Sequence, residues 1–209
     1  MKYMVAIPCM DMMQTQFVCS LVSMPFFPNT EITFGANSLV YDTRNQLAEK
    51  AINGGFDRIL WLDSDMTFKP DLAHRLAAHL DNGLDYVSGL YMTRKKPIKP
   101  CIYKSLQYNP PVGESYLDYP KDSLFEIKAS GFGGVMMTTD LIKRVGDMFG
   151  LPFSPILGLG EDFSFCYRVN MLGVKMWCDS SIKMGHIGFT EITDDTYLER
   201  IKNEQENRN

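Results

Sequence analysis

The chain has 209 residues, 45% of them hydrophobic and 22% charged, with a formal net charge of −4. That is enough apolar material for one sizeable core, and no internal repeat marks a second domain. The acidic balance excludes a protein that coats nucleic acid, which needs a basic face, and no apolar run approaches the ~20 residues of a transmembrane segment. The five cysteines are scattered and form no C-x-x-C pair. They point to reduced thiols in a cytoplasmic protein rather than to zinc or disulfides. The fourteen methionines read as adaptable core filler.

Met4 to Ile7 reads as a first strand ended by Pro8, where a missing N–H does no harm. Gln14 to Ser23 has helical spacing, with Phe17, Leu21 and Val18 facing inward and Pro25 and Pro28 ending it. Glu31 to Gly35 alternates like a half-exposed strand. Ser38 to Gly54 is the clearest helix, with Leu39, Leu47 and Ile52 on its apolar side and Gly54-Gly55 as its stop. Arg44 stands near its start. A cation there is on the unfavourable side of the helix dipole unless it meets an anion, which suggests a nucleotide contact as well as a solvated arginine.

Arg58 to Leu62 reads as the central strand, and its four consecutive apolar residues, Ile59 to Leu62, imply burial on both faces. Asp63-Ser64-Asp65 follows where that strand stops. In an open α/β sheet ligands bind beyond the carboxyl ends of strands, so these acids belong at the lip of a crevice. Two acids one residue apart invite a divalent cation with oxygen ligands, Mg²⁺ or Mn²⁺, although turn chemistry alone also uses such residues. Pro70 to Asn82 reads as a helix, with His74 and His79 at the surface. Asp85 to Leu90 is another strand. It leads into the basic run from Thr93 to Pro100, which is either a solvated loop or a cationic lip.

Cys101 to Lys104 and Leu124 to Lys128 read as strands, with a loop or hairpin from Tyr108 to Lys121 between them. Gly131-Phe132-Gly133-Gly134 allows close backbone approach to a ligand before an apolar strand resumes. Thr138 or Thr139 caps a helix to about Val145. Glu161-Asp162 opens a helix that ends at Gly173, where carboxylates suit the dipole and could be simple caps. Val174 to Cys178 is a strand. His186, between Gly185 and Ile187-Gly188, reads as a loop-borne ligand rather than a core residue. Residues 193–209 form a charged tail, expected to be helical and peripheral to a domain spanning 1–192.

In this order, Ile7-Pro8, Arg44-Asn45, Leu60-Trp61-Leu62-Asp63-Ser64-Asp65-Met66, Gly133-Gly134, Gly160-Glu161-Asp162 and Gly185-His186-Ile187-Gly188 resemble the motifs of nucleotide-sugar-dependent glycosyltransferases of GT-A fold, particularly the small family-2-like kind. The resemblance covers most of the chain. It implies an α/β fold, a single-domain, Rossmann-like mixed sheet flanked by helices. It also implies transfer of a sugar from a nucleoside-diphosphate-sugar, UDP-sugar favoured, to an unidentified hydroxyl acceptor. Asp63 and Asp65 look like the D-x-D motif, with Asp65 the better metal ligand, His186 completing the coordination and Asp63 reaching the donor and the metal. Pro8, Arg44, Asn45, Ser64, Gly133 and Gly134 would contact the donor. Asp162 resembles the acceptor-activating base, with Glu161 beside it, and the metal would be Mn²⁺ or Mg²⁺.

Two rival readings remain at this stage. Asp63-Ser64-Asp65-Met66-Thr67 also fits a haloacid-dehalogenase-like phosphatase, with Asp63 as nucleophile and Asp65 as acid/base. That motif normally ends its domain's first strand, and the reading leaves Glu161, Asp162 and His186 without a task. The other rival is a sugar-nucleotide-binding protein that recognises without reacting.

Overall fold

The structure, a computed structural model, describes residues 1–188 apart from 11, 37, 95, 109 and 157; the expected C-terminal tail therefore lies outside the described residues. In chain order the elements are β1 (Tyr3–Pro8), α1 (Thr15–Ser23), β2 (Thr30–Gly35), α2 (Val40–Asn53), β3 (Arg58–Leu62), β4 (Met66–Thr67), α3 (Leu72–Asp81), β5 (Tyr86–Leu90), β6 (Ile102–Tyr108), β7 (Pro111–Ser115), β8 (Leu124–Ile127), β9 (Ala129–Ser130), β10 (Gly134–Thr138), α4 (Thr139–Phe149), α5 (Glu161–Met171), β11 (Met176–Lys183) and β12 (Gly185–His186).

The expected α/β architecture is present as one mixed sheet of seven strands in the order β2-β1-β3-β10-β5-β11-β8. β1, β2 and β3 are parallel, β10 runs antiparallel between β3 and β5, and β11 returns parallel to β5. The apolar run of β3 lies third in that order, and all five of its residues are buried. Each face of the sheet is closed by helices. On one side Leu47 and Ala51 of α2, Leu141 and Val145 of α4 and Phe165 and Val169 of α5 pack with Trp61, Tyr86 and Phe153. On the other, Phe17 and Leu21 of α1 and Leu72, Leu76 and Leu80 of α3 pack with Val5, Leu60 and Leu62. No helix among the described residues is long and apolar enough to cross a membrane.

Several local expectations need correction. Leu39, assigned to the apolar side of its helix, is 63% exposed, because the helix begins one residue later; Leu47 faces inward as expected, joined by Ala51. The strand expected to stop at Lys104 continues to Tyr108 and pairs with β7 as a hairpin. Helix α4, capped by the Thr138 hydroxyl accepting from Leu141 N–H, runs past Val145 to Phe149. Met10, Met12 and Met148 are exposed, so the methionines are not uniformly filler. His79 is not simply a surface residue. Its Nε2 lies 2.9 Å from Oδ2 of Asp179 in β11, whose Oδ1 accepts from the backbone N–H and the hydroxyl of Ser181. Arg75, one turn earlier in α3, donates to the Ser181 hydroxyl at 2.5 Å and sits 3.8 Å from Asp179. This network ties α3 to the sheet.

Candidate active site

The strand directions put Pro8 at the end of β1, Asp63 to Asp65 after β3, Tyr91 after β5 and Gly131-Phe132 before β10 along one edge of the sheet. The start of α2, the start of α5 and His186 complete the wall of an open cleft of about 480 Å³. A ligand cleft of this kind is expected where parallel strands end.

Arg44 holds two parts of this wall together. Only 2% exposed, it donates from Nη2 to Asp63 Oδ1 at 2.7 Å and from Nε to Glu161 Oε1 at 3.4 Å. Its guanidinium lies 5.5 Å from the Trp61 ring and 5.2 Å from that of Phe132. Burial alone would weaken its hold on the proton, but the carboxylates of Asp63 and Glu161 outweigh that and leave it above its ordinary value. Arg44, read from the sequence as a nucleotide contact, therefore has its charge matched by two acids of the protein itself.

Asp65 belongs to a separate group. The two-residue strand β12 pairs antiparallel with β4, placing His186 against Met66 and Gly185 against Thr67, and Ile187 N–H donates to the Asp65 carbonyl at 2.8 Å. His186 is thus fixed by strand pairing and is not borne on a loop. Its Nδ1 lies 2.9 Å from the carbonyl of Met92, which can only accept, so Nδ1 carries a hydrogen and Nε2 faces Asp65 Oδ2 at 3.5 Å. Arg94 reaches the same Oδ2 at 2.5 Å. The Asp65 carboxylate, with help from the neighbouring Cys101 thiol, lifts the His186 imidazole to about 10. Burial works to raise the Asp65 carboxyl, but His186 and Arg94 bring it below its usual range.

Asp65 and His186 suit a divalent cation. The Met92 carbonyl orients the imidazole from behind, as outer partners of ligating histidines do. The expected trio of Asp63, Asp65 and His186 is not assembled, because Asp63 is turned to Arg44. Among the described residues no group of three or more His, Cys, Asp or Glu side chains could hold a metal. Two protein ligands leave room for water and phosphate oxygens, which is how Mg²⁺ is commonly held.

Across the cleft, Asp162 sits in the first turn of α5, partly open to the cavity. Burial, and after it the neighbouring charge of Glu161, push its carboxyl up to about 6, although Phe163 N–H donates to its Oδ1 at 2.7 Å. A carboxyl poised there changes charge near neutrality, as a proton acceptor should.

Pro8 and Ser64, expected at the donor, line the cleft, whereas Asn45, Gly133 and Gly134, expected there too, do not. The Asn45 side chain leaves the cleft, where its Oδ1 accepts from Phe153 N–H at 2.9 Å. Gly133 and Gly134 are buried behind the wall. A Cβ on Gly133 would meet the Met66 sulfur at 2.8 Å, and one on Gly134 would strike Met184, so their smallness serves packing. The glycine that does face the cleft is Gly131. Tyr91, Cys101, Tyr103 and Phe163 also line it and were not singled out from the sequence. Tyr91 was within reach of the same reasoning, since it follows a buried strand as Asp63 follows β3.

No protein-family model matches the chain, and no curated protein matches its sequence. Among solved structures, A197 from STIV superposes with a TM-score of 0.67 at 17% identity, over 90% of this chain and 87% of that one. GalNAc-T7, solved with UDP, GalNAc and Mn²⁺, superposes with a TM-score of 0.65 at 13% identity, over 91% of this chain. The chain has a GT-A fold. It spans 44% of the GalNAc-T7 chain. The GT-A cleft described above is the sheet-edge cavity carrying Asp63, Asp65, Asp162 and His186.

Proposed function

We propose that the protein is a metal-dependent glycosyltransferase, resembling the small family-2-like kind, that moves a sugar from a nucleoside-diphosphate-sugar, UDP-sugar favoured, to a hydroxyl acceptor. The observation that carries this reading is the placement of a raised carboxyl, Asp162, in the same cleft as the Asp65–His186 pair. One group is suited to take a proton and the other to hold a cation.

Asp65 and His186 would hold Mn²⁺ or Mg²⁺, and the bound cation would neutralise charge growing on the departing diphosphate. Arg94, beside Asp65, adds a second cationic group on the same side. Asp162, as carboxylate, accepts the proton of the acceptor hydroxyl while the hydroxyl oxygen attacks the sugar's anomeric carbon, a contribution of about 10²–10⁴ in rate. Glu161, tied to Arg44, lies beside Asp162, and its negative charge helps keep that carboxyl basic. Asp63, with one oxygen given to Arg44, retains the other for the donor's ribose or sugar hydroxyls. Pro8 and Ser64 flank the donor side. The same ion pair counts against the phosphatase reading, since a nucleophilic Asp63 would attack from a carboxylate already stabilised by a guanidinium.

Calorimetric titration with uridine and guanosine diphosphates, with and without Mn²⁺, tests the reading. Metal-dependent binding that Asp65→Ala abolishes supports it. Hydrolysis of a simple phosphoester, lost in Asp63→Asn, overturns it.

A further inference from the structure

Two arginines line the cleft, and they are held in opposite ways. Arg44 is buried against Trp61 and Phe132 and pairs with two acids. Arg94 has one carboxylate oxygen, Asp65 Oδ2 at 2.5 Å, which it shares with His186 Nε2 at 3.5 Å, and its side chain is 45% exposed. Exposed pairs of this kind contribute little, so this one separates at small cost.

The backbone that carries Arg94 is anchored. Thr93 N–H donates to the Lys99 carbonyl at 2.8 Å, Lys99 N–H donates to the Thr93 hydroxyl at 3.0 Å, and Met92 bridges to Pro100. A Cβ on Gly188 would meet the Arg94 Cβ at 3.1 Å, so the segment leaving His186 passes against the root of the side chain. A change of partner therefore falls to the outer part of the Arg94 side chain and not to the loop.

Oδ2 is the Asp65 oxygen that faces the imidazole, so a cation shared with His186 has to use it. The guanidinium is already there. Two cations on one oxygen repel each other even where water screens them, and loading the pair with a divalent ion pushes Arg94 away. A diphosphate drawn to the same ion is the partner that suits it next, because phosphate oxygens match the forked donors of a guanidinium.

We propose that Arg94 is a transferable charge: it rests on Asp65 before ligands bind and passes to the donor's diphosphate when a divalent cation takes its place, so that cation and nucleotide enter cooperatively. This rests on the metal-dependent reading above and adds a rule for how the two ligands depend on each other.

The test is Mn²⁺ titration of the full chain without nucleotide, read by the electron paramagnetic resonance of the free ion, beside calorimetric titration of uridine diphosphate with and without Mn²⁺. In Arg94→Gln, Mn²⁺ alone should bind about threefold tighter or more, because its competitor is gone. Uridine diphosphate should bind about tenfold weaker with Mn²⁺ present and unchanged without it. The coupling between the ligands then falls about tenfold, from whichever ligand it is read. Arg94→Lys keeps the charge and should return Mn²⁺ affinity to the wild-type value, whereas a variant that merely loosened the loop would weaken both ligands together. Unchanged or weaker Mn²⁺ binding in Arg94→Gln overturns the inference, and so does undiminished binding of uridine diphosphate with Mn²⁺. Adding Asp65→Ala to Arg94→Gln tells the two levels apart. If it abolishes Mn²⁺ binding while Arg94→Gln alone binds no tighter than wild type, only the exchange fails; if Mn²⁺ still binds, the ion lies elsewhere and the metal reading fails with it.

Discussion

The molecule uses aspartate, histidine and arginine together in two places, and the two clusters are built to different ends. At Asp179, which is 7% exposed, one oxygen is taken by Ser181 and the other by His79 at 2.9 Å with Arg75 nearby. At Asp65 the imidazole stands back at 3.5 Å and the arginine side chain is 45% exposed. The first cluster is saturated and braces a helix against the sheet. The second lies at the mouth of a cavity, with Arg94 and His186 both on Oδ2, where the proposed cation would enter. Residue type alone does not separate brace from site; the number of donors each carboxylate already accepts does.

Exchanging the two aspartates is the sharpest way to test that contrast. Asp65→Ala is expected to abolish Mn²⁺-dependent binding of uridine diphosphate and donor turnover while moving Tm by less than about 2 °C, because Arg94 is 45% exposed and relaxes into water and His186 keeps its bond to the Met92 carbonyl. A large loss of Tm in that variant would place Asp65 with the braces. Next in size, Asp162→Asn should lower turnover about 10²–10⁴-fold with nucleotide affinity unchanged. Unaltered turnover, measured by release of diphosphate from the donor, removes Asp162 from the chemistry. Asp179→Ala should do the reverse of Asp65→Ala. Leaving His79, Arg75 and Ser181 without their acceptor costs about 1–3 kcal/mol, roughly 2–10 °C in thermal melting, with nucleotide affinity intact.

The smallest effects are pH-dependent. Since the Asp162 carboxyl is raised to about 6, the wild type should lose kcat/KM as pH falls through that value, and the Asp162→Asn residue of activity should lack this limb. A carboxyl raised in the folded state opposes folding when charged. That penalty is absent below the unfolded value of about 4, grows up to about 6 and is constant above it. Asp162→Asn should accordingly raise Tm by a few degrees at neutral pH and not at all below about pH 4; a Tm gain that is independent of pH would show the effect to be unrelated to ionisation.

Much of the frame was legible because its signals are local. The buried run Arg58 to Leu62 and its following acids mark a sheet edge whatever the rest of the chain does, and Gly54-Gly55 ends α2 with Gly55 at a φ of 64°. What escaped depends on partners distant in sequence. Nothing near Arg44 shows that Glu161 will share its charge with Asp63, and nothing near Asn45 shows that Phe153 N–H will claim it. Gly133 and Gly134 look like a ligand-facing pair, yet only the folded positions of Met66 and Met184 reveal why no side chain fits there. Flanking glycines suggested a free loop at His186, because a two-residue strand leaves almost no periodicity to read.

That short pairing of β12 with β4 also governs when the protein becomes competent. Asp65 and His186 come from opposite halves of the chain, and only the docking of the later segment onto the earlier one unites them. On the ribosome, where N-terminal parts of a protein emerge first, β3 and its acids would be exposed well before the imidazole existed. A nascent chain would thus present the lip of the crevice and still lack His186, so that the proposed cation grip would be among the last features to mature.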